Sequence, residues 1–467
     1  MNRSSWSARR GVALAAAAVV LAGCGGAGDE AGTAVGTGAD FVPAGAPLYA
    51  YLNADRDSQQ WDDLEALVDR FPDGDELAQS LVDSLAEEGL DYDENVDPAL
   101  GPEVVFALLS FAGERDANVL GATDPDDDGK LEELLRKLNE GESERALSRD
   151  VDGWRVVASN QAALDAAERA RAGTSLADDE TFRAAVGELP EEALLKLYLD
   201  GAAASRELGE DAGALSDLAW LSLAVTAEDD GLAVETAART TGDPPEAFRA
   251  TLLDDVPAGV LAAASFRSTG DQLRALDAGE LPELLAGVSV DDLAELFDRE
   301  AAFYVRSAGL IPEVTLLLAD GQSSLDTLNR VMQRIAAATG STTETVGERE
   351  RELAYEGVAI RYGLFEGKLV VTTAAQGIAV VGEDGDTLAD DPDFQEATEG
   401  AGMPEETAGF VYVDVQHALP VLSSFLLIAG EGLGAGTNAN LDPLRSLLFY
   451  ATSEGGIVRG KGFLRIA

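Results

Sequence analysis

The one thiol in the chain, Cys24, closes the string Leu21-Ala22-Gly23-Cys24. An apolar residue three positions before a cysteine, followed by two small residues, has the form of a bacterial lipobox, in which the cysteine sulfur takes a diacylglyceryl group. Arg3, Arg9 and Arg10 precede an uncharged apolar run, residues 11–22. That run has the length of a signal-peptide core and is too short to span a bilayer. The alternative, ordinary secretory cleavage beside a bystander cysteine, is disfavoured because the only Cys lies at the one place the motif needs it. Cys24 is therefore the expected lipidation site, and residues 1–23 the expected signal peptide. At about 0.8 kcal/mol per buried methylene, two or three acyl chains would anchor the protein stably to the extracytoplasmic face of the cell membrane. Membrane lipid is the first expected partner.

The other residues with chemistry in them form incomplete sites. Asp124, Asp126, Asp128 and Gly129 match the first half of an EF-hand loop, three carboxylates and a tight turn around a hard cation. Position twelve of that loop is Leu135, where a bidentate acid belongs. A solvated turn capping a helix over residues 130–139 is preferred to calcium, which stays a weak candidate. Asp91, Asp93, Asn95 and Asp97 alternate in the same way but lack the glycine at position six. Residues 455–461 fit GxxxxGK, yet Gly462 replaces the required hydroxyl residue and the segment reads as a hairpin, with no helix to receive a phosphate. His417 is the only imidazole, no GxSxG elbow or SxxK accompanies it, and Ala203 stands 214 residues earlier. It reads as a helix-surface residue. No catalytic residue, metal or cofactor is expected, and the remaining carboxylate chemistry has no pair to single out among 86 acids.

Composition sharpens the exclusions. Lys and Arg total 33 against 86 Asp and Glu, a net charge of −53 over 467 residues. Nucleic-acid binding rests on Lys and Arg neutralising phosphates, so DNA and RNA partners are excluded. One Cys and one His cannot build a Cys/His zinc site, an internal disulfide or a CxxC redox pair. Residues 24–40 are Gly, Ala and Thr with few acids, a flexible tether with a reach of roughly 22 Å. Anionic headgroups would keep the acidic body off the lipid surface.

Behind these residues stands a repeated scaffold. Val42-Pro43-Ala44-Gly45 recurs as Val256-Pro257-Ala258-Gly259, an offset of 214. Trp154-Arg155-Val156-Val157 pairs at that offset with Lys368-Leu369-Val370-Val371, and Leu197-Tyr198-Leu199-Asp200 with Val411-Tyr412-Val413-Asp414. Ser175-Leu176-Ala177-Asp178-Asp179 with Phe182 matches Thr387-Leu388-Ala389-Asp390-Asp391 with Phe394 at 212. Four blocks in one order imply two tandem copies of a roughly 200-residue unit, residues 41–240 and 241–467. Apolar alternation places strands at 48–52, 103–110, 118–122, 154–158, 194–200, 221–226 and 232–237, and in the second half at 260–266, 447–453 and 458–466. Helices are expected at 61–70 and 76–87. Strands in succession argue for antiparallel pairing, hence an α+β fold, mainly antiparallel sheet flanked by helices. The Asp178-Asp179 and Asp390-Asp391 pairs read as helix caps, with Pro392 suited to a first helical position, and Asp200 and Asp414 read as strand ends where the next helix starts.

The Val-Pro-Ala leader, the duplicated Leu-Ala-Asp-Asp segment with its Phe, the Tyr-x-Asp strand ends and the lipobox together resemble an uncharacterised family of exported proteins common in high-GC Gram-positive bacteria, domain of unknown function 3352. The resemblance runs from about Phe41 through nearly all of the mature chain. It implies the fold and the exported location, and carries no activity, ligand or catalytic residue. The function these readings support is a lipid-anchored extracytoplasmic protein with a binding or structural role at the cell envelope, its further partner an envelope protein or a small molecule. The alternatives are a solute-binding lipoprotein of a transporter and a carboxylate-dependent envelope glycan hydrolase.

Overall fold

The apolar alternation read from the sequence becomes antiparallel sheet in a computed structural model of the chain. The residues it describes are 36–467 apart from 88, 111–117, 141–144, 268–269, 271–273, 275–287, 309–311, 348, 356, 383–384 and 430–438. Cys24, the expected signal peptide and most of the expected tether lie outside the described residues. The fold class is α+β, in two units. The first comprises the described residues up to Asp243 with Gly455–Arg459 and Ile466, and the second Pro244–Glu454, Gly460–Arg465 and Ala467.

In the first unit the strands are β1 (Leu48–Asn53), β2 (Glu103–Leu108), β3 (Val119–Thr123), β4 (Leu147–Val151), β5 (Trp154–Ala158), β6 (Leu195–Asp200), β7 (Leu218–Glu228) and β8 (Gly231–Thr240). They pair antiparallel in the order β4-β5-β3-β2-β1-β6-β7-β8. Side chains alternate across a strand. One face therefore gathers Tyr49, Val105, Ala107, Leu120, Val156, Tyr198, Trp220 and Ala224, all buried in one core with Phe182. Tyr49 sits directly opposite Tyr198. The ring of Phe182 meets both edge-on, with centroids 5.2 and 5.0 Å away. The other face is apolar too, and Leu48, Phe106, Leu197, Leu199 and Leu221 on it are half-buried.

Two parts of this unit differ from the sequence reading. β4 was not expected, because Leu147-Ser-Arg-Asp-Val151 has no apolar alternation; its place is set by the two-residue turn Asp152-Gly153, whose φ values of 53° and 88° give the handedness a tight hairpin needs. The tether was expected to reach residue 40. Instead residues 38–41 form a 3-10 turn with Ala39 and Phe41 buried. The Glu103 carboxylate fixes that turn by accepting from Thr37 N at 3.0 Å, Thr37 Oγ1 at 3.1 Å and Gly38 N at 2.7 Å. Burial raises the pKa of Glu103, and these donated hydrogen bonds oppose the rise. Residues later than 454 also enter the unit. Ile457 joins its core, Arg459 Nε donates to Glu188 at 2.7 Å, and Ile466 N donates to the Asp230 carbonyl at 2.8 Å.

Lys196 on β6 faces inward, 3% exposed, with Nζ donating to the Glu191 carbonyl at 2.6 Å. Burial lowers its pKa from the ordinary 10.5 to about 8, against the opposing pull of Glu191, Glu103 and Glu192. Between those two values the unfolded chain holds a proton that the folded one has lost, so stability rises with pH across that window. Wild type is expected to gain stability relative to Lys196→Met from about pH 8 to about pH 10.5. Urea unfolding of both proteins across that range checks it; a difference that stays flat would show that burial does not strain the ammonium.

The second unit opens with the short strand β9 (Phe248–Arg249) and continues with β10 (Ala262–Arg267), β11 (Glu300–Arg306), β12 (Glu313–Leu318), β13 (Thr343–Thr345), β14 (Glu350–Tyr355), β15 (Val358–Phe365), β16 (Lys368–Thr372), β17 (Glu406–Thr407), β18 (Gly409–Asp414) and β19 (Leu444–Glu454). The main sheet runs β13-β14-β15-β16-β12-β11-β10-β18-β19, again antiparallel throughout. Ala262 faces Val413 as Leu48 faces Leu199 in the first unit, and Leu318 faces Leu369 as Thr123 faces Arg155. Glu300 accepts from Thr251 Oγ1 at 2.6 Å and Leu252 N at 2.7 Å, as Glu103 does from Thr37 and Gly38. The helix Gly321–Thr339 packs Leu328, Val331, Met332 and Ile335 over Ala301, Leu318 and Leu369. Beyond its cover, Val411, Leu447 and Phe449 stand 48%, 41% and 43% exposed as neighbours on β18 and β19. The helix Val415–Ala429 follows β18, with Pro420 inside it. Among the described residues no helix is long and apolar enough to cross a membrane.

Candidate functional site

Two helix starts in the second unit bring together an imidazole and two carboxylates. Asp391 precedes Pro392 and caps the helix Pro392–Ala401, its Oδ1 accepting from Asp393 N at 2.9 Å and Phe394 N at 3.3 Å. Its Oδ2 accepts from Gly259 N at 2.7 Å. That cap fixes Asp393 in the first turn. Asp414 ends β18, and its Oδ1 accepts from His417 N at 3.0 Å, which winds the chain into the next helix and swings the imidazole back over the strand end. His417 Nδ1 then lies 2.7 Å from Asp414 Oδ2. One ligand atom from each of Asp393, Asp414 and His417 falls within 4.8 Å of the others, the only such group of three among the described residues. Asp414 is buried, whereas Asp393 and His417 are exposed.

The charges here are unbalanced. The Asp393 carboxyl is raised by partial burial and then by the negative charges of Asp414 and Asp391, with His417 acting in the opposite sense. Beneath them the Tyr412 hydroxyl is pushed far above its ordinary range, by burial first and by the same three carboxylates. Such a nest attracts positive charge. Its imidazole and two carboxylates are ligand types that suit a borderline divalent metal ion.

The corresponding junctions of the first unit share the caps and lack the ligands. Asp179 accepts from Thr181 N at 2.8 Å and Phe182 N at 3.2 Å, and Asp200 accepts from Ala203 N at 2.8 Å. Where the second unit has Asp393 and His417, the first has Thr181 and Ala203. The capping roles expected of Asp179, Asp391, Asp200 and Asp414 are thus found. Ser175 and Asp178 add a reciprocal capping box. Asp414 and His417 were singled out in the sequence separately, and Asp393 was not singled out at all.

The half EF-hand loop is drawn into other roles. Asp127, not one of the three alternating acids, caps the helix Asp128–Leu138 by accepting from Gly129 N at 2.8 Å and Lys130 N at 3.2 Å. Asp128 Oδ1 takes Arg155 Nε at 2.6 Å. Asp126 is raised by burial and by Asp97, Asp124 and Asp55. Of the second acidic run, Asp91 accepts from Glu94 N at 2.9 Å, Asn95 accepts from Lys137 Nζ at 2.7 Å and Asp97 pairs with Arg56 at 3.3 Å. The GxxxxGK stretch lies in and just before β20 (Ile457–Ile466).

Residues 11–167 match the family described as "Protein of unknown function (DUF3352)". The family resemblance read from the sequence is met over those residues, about a third of the chain. Solved structures similar to this chain include crystal forms I, III and IV of TP0453. Each is 12% identical, with TM-scores of 0.26, 0.27 and 0.26 respectively; forms I and III cover 48% of this chain and 80% of the other, and form IV covers 46% and 76%. No curated protein matches the chain.

Proposed function

We propose that the chain is a lipid-anchored protein of the extracytoplasmic face of the cell membrane, with a binding or structural role at the envelope. One observation carries this reading: the only cysteine in 467 residues follows Leu21-Ala22-Gly23 at the end of a basic-then-apolar leader. In this reading the body binds or supports rather than catalyses, since its chemistry comes down to one imidazole and, once Cys24 is lipidated, no thiol. The body itself is a tandem duplication. The pairing of β1 with β6 and of β10 with β18 keeps one offset of 214, as do the carboxylate contacts of Glu103 with Thr37 and Gly38 and of Glu300 with Thr251 and Leu252 on their turn side, and both support it.

Protease added to intact spheroplasts tests the location. The body is expected to be degraded while a cytoplasmic marker survives, and a body cut only after lysis would refute an extracytoplasmic address.

A further inference from the structure

We propose that Asp393, Asp414 and His417 form a divalent transition-metal site, with zinc the best-fitting ion. The ligand atoms are Asp414 Oδ2 and His417 Nδ1, 2.7 Å apart, with an Asp393 carboxylate oxygen inside the same 4.8 Å group. Bonds of about 2.0–2.1 Å to a tetrahedral zinc set neighbouring ligand atoms roughly 3.3 Å apart, so the metal replaces the Nδ1–Oδ2 hydrogen bond, the imidazole proton moving to Nε2 as that pair opens by about 0.6 Å; rotation of the exposed Asp393 side chain closes the set, and water takes the open position. Asp414 Oδ1 keeps its hold on His417 N while Oδ2 serves the metal, so the helix cap also orients two of the three ligands. Calcium and magnesium take oxygen shells, whereas an imidazole with two carboxylates suits zinc and its neighbours.

The first unit supplies a second, independent observation. It keeps the caps Asp179 and Asp200 and the buried Tyr198, yet has Thr181 and Ala203 where the second unit has Asp393 and His417. The same kind of strand–helix junction therefore forms in the first unit without those two side chains. The site is independent of the anchor, and its test separates the two.

The single His makes the test direct. Full-length protein labelled with 15N-histidine gives one imidazole spin system, and zinc chloride at 0.15 M salt is expected to shift its Nδ1 resonance with a stoichiometry of one. Calorimetric titration is expected to show zinc bound at least about tenfold more tightly than calcium or magnesium. Asp393→Asn and His417→Ala should each weaken zinc about tenfold or more, because even second-shell losses at metal sites cost 10–100-fold. Asp128→Asn, an exposed acid in the first unit, should leave it unchanged. The thermal midpoint of each variant shows that it is folded. An unmoved imidazole resonance, equal binding of calcium, or an equal loss in Asp128→Asn would overturn the proposal, the last two by reducing the site to the general pull of an acidic surface.

Discussion

In fractionated cells the Cys24→Ala protein is expected to leave the membrane pellet almost completely. The argument is one of affinities. A single acyl chain gives only marginal, reversible binding, while two or more hold stably, so removing the modified sulfur takes away the whole anchor at once. Nothing in the charge of the body replaces it, because a net charge of −53 is repelled by anionic headgroups across a Debye length of about 8–10 Å. Radioactive palmitate should label the wild type and not the variant, which distinguishes loss of lipid from retention through an uncleaved leader. A variant that still sediments quantitatively after its leader is exchanged for an ordinary secretory one would sink the lipobox reading.

The second large effect lies in the first unit's core. Phe182 is fully buried and stands edge-on to Tyr49 and Tyr198, the pair that joins β1 to β6. Phe182→Ala removes the ring from a site walled by strands that cannot collapse inward, and a Phe→Ala change of this kind costs about 3–5 kcal/mol. For a unit of this size each kcal/mol lowers the melting temperature by roughly 2–4 °C, so a fall of about 6–20 °C is expected. Scanning calorimetry reads it. A fall under about 2 °C would mean that the ring is not the keystone its contacts suggest.

What the sequence made legible depended on how locally each feature is encoded. Asp179, Asp391, Asp200 and Asp414 are caps because a short acid before a helical run meets free N–H groups two or three residues on, a rule that needs no tertiary knowledge. Pro392 sits at the first turn for the same local reason. The apolar strands β1 and β6 lie within a residue or two of their expected places, whereas β11 and β12, apolar as well, are not among the expected strands. β4, β13 and β14 escape a reading by periodicity because Leu147–Val151, Thr343–Thr345 and Glu350–Tyr355 alternate poorly; for β4 the local signal is the Asp152-Gly153 hairpin turn. The end of the tether was misjudged because Glu103, far along the chain, supplies the acceptor that holds Thr37 and Gly38. The metal-ligand group shows the limit most clearly. Asp414 and His417 are three residues apart and could have been paired on a helix start, but Asp393 joins them only because the helix it begins packs against β18.

The late residues built into the first unit set an order of events for a chain made from its N-terminus. Residues 36–243 are made long before Ile457, Arg459 and Ile466. Until then the core position of Ile457 is vacant, Glu188 lacks its Arg459 partner and the Arg70 guanidinium lacks the Ile466 carbonyl that it binds at 2.5 Å. Domains usually fold as units, N-terminal first. Here the half that is made first is finished by the residues made last, so a chain cut short before Ile457 has an incomplete first unit however well its other strands pair.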